Sequence, residues 1–259
     1  MTAQGMVSIG IGAAIGSEIA ARLAPEIEAA GFHALWVNDI PGADALAVLE
    51  AAAKTTTHLT LATGVLPVDR RPANRIAEQV NGSALPQERL VLGIGSGAAS
   101  IGALRLVADA AAELRKTVPA KVVVGALGPK MRRLAVESAD GALFSWLTPE
   151  VAAQQSAEAR MTAFGGHLAL YVRTALEPDA RQRMDVEMGR YAAIPSYAAN
   201  FARHRMAVDD TVLDADIHPL AERLDEYRNA VDEVVLRAIT PADGVDDYLR
   251  FVEAARALL

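Results

Sequence analysis

The chain has no cysteine, which excludes disulfides, a thiolate nucleophile and any cysteine-ligated metal. Aromatic residues make up only 5% of its 259 positions, and its formal charge is −7 with the basic residues scattered. It therefore lacks the basic, aromatic-studded surface that attracts nucleic acid. Hydrophobic residues reach 52%, yet every apolar run stops well short of the ~20 residues a membrane-spanning helix needs. The start MTAQGMVSIG carries neither a basic n-region nor a small-residue cleavage site, which fits a cytoplasmic protein. No Pro/Ser-rich linker or shift in composition divides the chain, and no short repeat is present, so a single domain over residues 1–259 is expected.

What is present is alternation. Strand patterns fall at Met6–Ile11, Ala34–Val37, Leu59–Gly64, Leu90–Ile94, Lys121–Gly125, Ala142–Ser145, Leu168–Thr174 and Glu233–Ile239. Helical patterns lie between them at Ser17–Ala30, Asp44–Thr55, Pro72–Asn81, Ile101–Lys116, Lys130–Ala139 and Pro149–Phe164. Several more occupy Pro178–Ala230, and a last one runs from Gly244 to Leu258. Parallel strands need crossovers of a dozen or more residues, and eight such units favour an α/β fold closed as a (β/α)8 TIM barrel. The segment Pro178–Ala230 is the longest crossover and carries Tyr191, Tyr197, Phe201, His204 and Arg205. It reads as a lid or as an ordinary pair of surface helices.

Two strand patterns, LTLATGVLPV (59–68) and LVLGIGSG (90–97), break into small, glycine-containing backbone where a parallel strand ends. Ligands of α/β proteins bind at such ends. The histidines point elsewhere: His33, His58 and His167 precede strands and belong to the opposite, stabilising end of a barrel. His204 and His218 have no partner at metal-ligand spacing, so no metal is expected.

The stretches GFHALWVND (31–39), LATGVLPVDRRPA (61–73), LVLGIGSG (90–97) and GALGPKMRRLAVESADGALFSW (125–146), in this order, resemble the bacterial-luciferase-like family of flavin and deazaflavin oxidoreductases. A weaker match follows at YVRTAL (171–176). The resemblance implies a cofactor ring across the C-terminal mouth of the barrel, either coenzyme F420 (a 5-deazaflavin) or FMN. It also implies a homodimer acting on a small molecule. Thr63, Gly64 and Val65 would buttress the ring, with a non-prolyl cis peptide at Gly64–Val65; without the resemblance Gly64 simply ends a strand. Gly93, Gly95 and Gly97 would let the ring approach, with Ser96 bonding its edge, unless they only make a tight turn. Gly128, Pro129 and Lys130 open a helix whose amides suit a phosphate. The resemblance places that phosphate near Ser145 and Trp146. Lys130 is equally a solvated first-turn lysine, and Trp146 equally a barrel plug.

Asn38 and Asp39 stand where family members contact the ring or donate a proton; the competing role is helix capping, for which Asp44 is better placed. Arg173 would neutralise an anionic cofactor or substrate, and Asp69, Arg70 and Arg71 read as a surface turn. After Gly97 the loop is shorter than in larger relatives, which opens the mouth, removes a specificity element or leaves cofactor binding without turnover. Three functions follow. The leading one is hydride transfer from reduced F420 to a small electrophilic substrate, suggested by the ATGV strand end (62–65) and an arginine-rich, lysine-poor composition. With FMN the same architecture is a monooxygenase. The second is non-enzymatic, a barrel that binds flavin without turnover or a purely structural paralogue. The third starts from Gly10, Gly12 and Gly16 with Asp39 further on, an NAD(P)-binding Rossmann pattern in which Ile15 stands where the third glycine is usual.

Overall fold

The computed structural model describes residues 4–163 and 165–259. Eight parallel strands form the sheet: β1 (Met6–Gly12), β2 (Ala34–Asn38), β3 (Thr60–Thr63), β4 (Leu90–Gly95), β5 (Lys121–Gly125), β6 (Gly141–Ser145), β7 (His167–Ala175) and β8 (Glu233–Ala238). Strand β8 pairs with β1 on one side and β7 on the other, with Glu233 opposite both Met6 and Ala169. The sheet is thus closed, as the alternation predicts, and the open Rossmann sheet is excluded. Gly10 also has a local reason: a Cβ there would lie 2.9 Å from the ring of Tyr171.

Helices α1 (Gly16–Ala29), α2 (Ala45–Ala53), α3 (Ala73–Gly82), α4 (Ala103–Thr117), α5 (Pro129–Ser138) and α6 (Pro149–Thr162) follow the first six strands. The end of the predicted sixth helix, Phe164, lies outside the described residues. The long crossover holds α7 (Arg181–Ala192), α8 (Pro195–His204) and α9 (Leu220–Ala230), and α10 (Val245–Arg256) follows β8. Two short strands escape the period-two pattern because they are only two and three residues long: Leu66–Pro67 pairs with β4, and Val212–Asp214 with β7. Local chemistry sets the helix starts. Asp44 accepts from the amides of Leu46 and Ala47 at α2, and Thr148 from that of Val151 at α6.

Side chains alternate across each strand, so the barrel has two cores. Leu35, Val37, Leu61, Val122 and Val124 pack outward against the helices. Ala34, Trp36, Ala62, Val123, Leu143, Ala169, Tyr171 and Val235 fill the interior. Trp36 and Tyr171 meet there edge to face, centroids 6.0 Å apart, and the small residues around them make room for two large rings.

Beneath them, at the N-terminal end of the strands, Glu233 is buried and accepts from Ser8 Oγ at 2.5 Å, Trp36 Nε1 at 2.6 Å and His167 Nε2 at 2.7 Å. One carboxylate thereby ties β1, β2, β7 and β8 across the closing seam. Burial pushes its pKa up, but the hydrogen bonds from His167, Ser8 and Trp36 outweigh this and hold it below the ordinary 4.5. His33 is held below 6.5 by burial and by repulsion from His167 and Lys121, against the pull of Glu233. Both depressed values mean that the folded state binds fewer protons than the unfolded one. Stability is therefore full above pH 6.5, falls as pH drops through the His33 range, and falls again below 4.5. Glu233→Gln is expected to cost about 1–3 kcal/mol at neutral pH and to make the second decline shallower. Urea denaturation between pH 3 and 8 measures both effects.

Candidate active site

A cavity of about 680 Å³ opens at the C-terminal ends of the strands, within the range usual for small-molecule sites. Its floor is built around Gly64 and Val65, joined by a cis peptide bond at the place the resemblance names. Gly64 is pinned from both sides: its amide donates to Val37 O at 2.9 Å, and its carbonyl accepts from Asn38 Nδ2. Asn38 Oδ1 and the Tyr171 hydroxyl are buried without a hydrogen-bond partner among the described residues. Both residues line the cavity.

The glycines beyond β3 have a different purpose from the one expected of them. A Cβ on Gly93 would lie 1.9 Å from the carbonyl oxygen of Thr63, and one on Gly95 2.7 Å from Val65 Cγ2. Gly97 has φ +60 and lies against the Asp69 carboxylate. Gly93 and Gly95 lack side chains so that the chain's own β3 ending fits, and Gly97 so that the Asp69 carboxylate does. Gly95, Ser96 and Gly97 border the cavity, whereas Gly93 and the buried Thr63, which donates to Gly93 O at 3.0 Å, do not.

Asp39 borders the cavity, but its carboxylate is engaged by Arg71 at 2.8 Å, Arg70 at 3.5 Å and the Ala45 amide at 3.2 Å. These partners make it an anchor for the β2–α2 turn and not a free proton donor. Asp69, Arg70 and Arg71 are correspondingly more than a surface turn. Arg71 also bridges to Asp44 at 3.1 Å, Asp69 accepts from the Ala98 amide at 2.8 Å, and Arg70 lines the cavity.

On the opposite wall Arg173 is 4% exposed. It donates to Glu187 of α7 at 3.0 Å and to Ser145 Oγ at 2.6 Å, and its guanidinium lies 4.3 Å from the Trp146 ring centroid and 4.7 Å from that of Tyr191. Burial opposes its charge, but Tyr191 and Glu187 outweigh that and hold its pKa above the ordinary value. Trp146 is fully buried, with φ +57, and packs under Arg173, Tyr191 and Phe201. It does not line the cavity and packs with Met184, Met188 and Phe201 beneath the roof, so both the ring-covering and the barrel-plug readings are corrected.

At the turn before α5, Gly128 caps the helix without a side-chain partner, and a Cβ there would meet nothing within 4 Å. Pro129 and Lys130 are exposed outside the cavity, because the first turn of α5 rotates them toward solvent. The cations lining the cavity are instead Arg70, Arg173 and, from α8, Arg203. The α7–α8 pair roofs the site with Tyr191, Ser196, Tyr197, Ala199 and Arg203. Of the other residues singled out there, Phe201 packs on Trp146, His204 pairs with Gln155 of α6, and Arg205 ends α8 in the left-handed conformation. The tyrosines were visible as aromatics in the longest crossover. Arg203 gave no signal, because nothing in sequence sets it apart from the other arginines.

Residues 5–117, the first half of this barrel, match the family model of the luciferase-like monooxygenases. Over that stretch the chain is similar to this family. No curated protein matches it. Solved structures similar to this barrel include a coenzyme F420-dependent tetrahydromethanopterin reductase from Methanopyrus kandleri, at 17% identity and TM-score 0.73, covering 99% of both chains. An F420-dependent secondary alcohol dehydrogenase in complex with an F420–acetone adduct is 14% identical with TM-score 0.72, over 97% of this chain and 99% of that one. The oxygenating constituent of 3,6-diketocamphane monooxygenase from Pseudomonas putida, in complex with FMN, is 12% identical with TM-score 0.67, over 97% of each. At such identities the likeness is one of fold. The class is one of oxidoreductases, and no helix of the described residues is long and apolar enough to cross a membrane.

Proposed function

We propose that this luciferase-like barrel is an oxidoreductase that binds coenzyme F420 in the cavity at its mouth and reduces a small electrophilic substrate. The observation that carries this reading is the 680 Å³ cavity itself. It joins the Gly64–Val65 floor, unpartnered polar atoms of Asn38 and Tyr171, and the uncapped start of α5. These features fit a flat polar ring with an anionic tail. When bound, a reduced deazaflavin supplies two electrons as hydride. The chain's own residues do the remainder. Asn38 fixes Gly64 so that the floor stays level, and Asn38 Oδ1 and the Tyr171 hydroxyl offer an acceptor and a donor for ring polar groups. The Gly128 end of α5 and the Arg203 guanidinium hold the phosphate. Arg173, locked by Glu187 and Ser145, keeps the roof seated and water out.

FMN is the second reading, supported by the FMN complex among the similar folds; with it the same seat serves a monooxygenase. Absorbance titration with F420, FMN and NADP separates the two and tests the site. F420 is expected to bind at micromolar concentration, and nicotinamide binding alone would overturn the proposal. Arg203→Ala is expected to weaken cofactor binding roughly tenfold, equivalent to about 1.4 kcal/mol, whereas Lys130→Ala changes it less than about twofold. The reverse order would return the phosphate contact to Lys130.

A further inference from the structure

A reduction that places hydride on a carbon of a polar double bond leaves an electron pair on the heteroatom, which must take a proton. The described cavity wall holds no histidine, and its one carboxylate, Asp39, is bound by two guanidiniums and an amide. The remaining wall groups with a titratable proton, apart from arginines, are the phenols of Tyr171, Tyr191 and Tyr197. The Tyr171 hydroxyl lies against Gly64 in the cavity floor, where a bound cofactor ring would cover it from the substrate. Tyr191 is gripped by its neighbours, with Trp146 at 4.9 Å, Arg173 at 4.7 Å and Arg190 at 5.1 Å from its centroid. It is a wedge between roof and barrel. Tyr197, at the start of α8, stands edge-on to that wedge at 4.9 Å and 84°. Its hydroxyl makes no hydrogen bond to the described residues and is not among the sealed polar atoms, and Tyr197 lines the cavity from the roof.

We propose that Tyr197 is the proton donor of this site, hydrogen-bonding the heteroatom of a substrate C=O or C=N group held between roof and floor. The inference rests on the reading of the cavity as a hydride-transfer site. In the step, hydride forms the new C–H bond, the π pair of the double bond moves onto the heteroatom, and the Tyr197 O–H bond breaks to give the new O–H or N–H bond. The tyrosinate then recovers its proton from water at the mouth. Burial raises the Tyr197 pKa above its ordinary 10.0, which keeps the phenol protonated at neutral pH. The Tyr191 wedge, clamped to Arg173, fixes its direction.

The test uses cyclohexanone as a carbonyl probe and infrared difference spectroscopy of its C=O stretch in the protein loaded with whichever cofactor titration shows it to bind. If neither binds, the oxidoreductase reading fails and the same spectra are taken on the free protein. Wild type is expected to give a bound carbonyl band at lower frequency than in buffer, Tyr197→Phe to return it to the frequency of an unbonded carbonyl, and Tyr191→Phe to leave it shifted. Cofactor affinity should stay within about twofold in Tyr197→Phe, and its circular dichroism should be unchanged. No bound band in wild type, an unaltered band in Tyr197→Phe, or loss of the shift in Tyr191→Phe alone would overturn the assignment.

Discussion

Gly93→Ala is expected to destabilise the barrel by roughly 3 kcal/mol, the upper part of the usual cost of overpacking a core, and to lower its melting temperature by about 6–12 °C for a chain of this size. The new methyl would lie 1.9 Å from the Thr63 carbonyl oxygen. Both partners are backbone of neighbouring strands, so no side chain can swing aside, and relief requires β3 and β4 to part. Thr63 leads directly into Gly64 and Val65, so cofactor affinity should fall with stability. Gly189→Ala is the control: it lies within α7, exposed, with nothing within 4 Å of the added Cβ. There alanine is expected to be neutral or to stabilise by up to about 1 kcal/mol. Thermal melts of the two variants decide the matter, and a Gly93→Ala protein as stable as wild type would mean that the β3–β4 contact is looser than described.

Arg173→Ala is expected to cost about 3 kcal/mol, the lower end of the usual ~3–5 for removing one partner of a buried ion pair, because Glu187 remains 15% exposed and still feels Arg237. The loss strands the Glu187 carboxylate, frees Ser145 Oγ and removes the cation that Trp146 and Tyr191 pack against. The roof helix α7 loses its fastening next to the cavity, keeping those of Arg181 to Asp214 and Arg183 to Asp243, so cofactor affinity should fall about tenfold. The paired change Arg173→Met with Glu187→Met should recover much of the stability, since two apolar side chains leave no stranded charge. Burial raises the Glu187 pKa, but Arg173 and Arg237 outweigh it and hold it below 4.5. The stability that the pair contributes is thus present above pH 4.5 and lost as pH falls through the depressed value; Arg173→Ala should flatten this part of the acid limb. Chemical denaturation at several pH values measures all of this, and an Arg173→Ala protein with wild-type stability and cofactor affinity would remove Arg173 from the account.

Much of the barrel was legible in sequence because the barrel strands announce themselves by strongly apolar runs and by glycine or polar breaks at their ends. Lys121–Gly125 matches its strand at both ends, and the other seven barrel strands differ by a residue or so. The site was legible only where backbone decides. The cis Gly64–Val65 bond and the open Gly128 amide depend on local sequence, which a family resemblance carries. The side-chain assignments travelled less well, since whether Lys130 or Arg203 faces the cavity depends on the rotation of α5 and on where α8 lies across the mouth. Glycines misled for the same reason: Gly93 and Gly95 look like room for a ligand, yet the space they leave is filled by Thr63 and Val65. Asp39 looked free because its partners Arg70 and Arg71 lie about thirty residues away in the chain.

A crystal structure of the protein soaked with F420, and separately with FMN, tests the central claim most directly. The account predicts density for a flat ring lying on Gly64 and Val65 beneath Tyr197, with its phosphate at Gly128 and Arg203. Density at the glycine-rich turn after β1, or a cavity that stays empty at saturating concentrations of both, would contradict it.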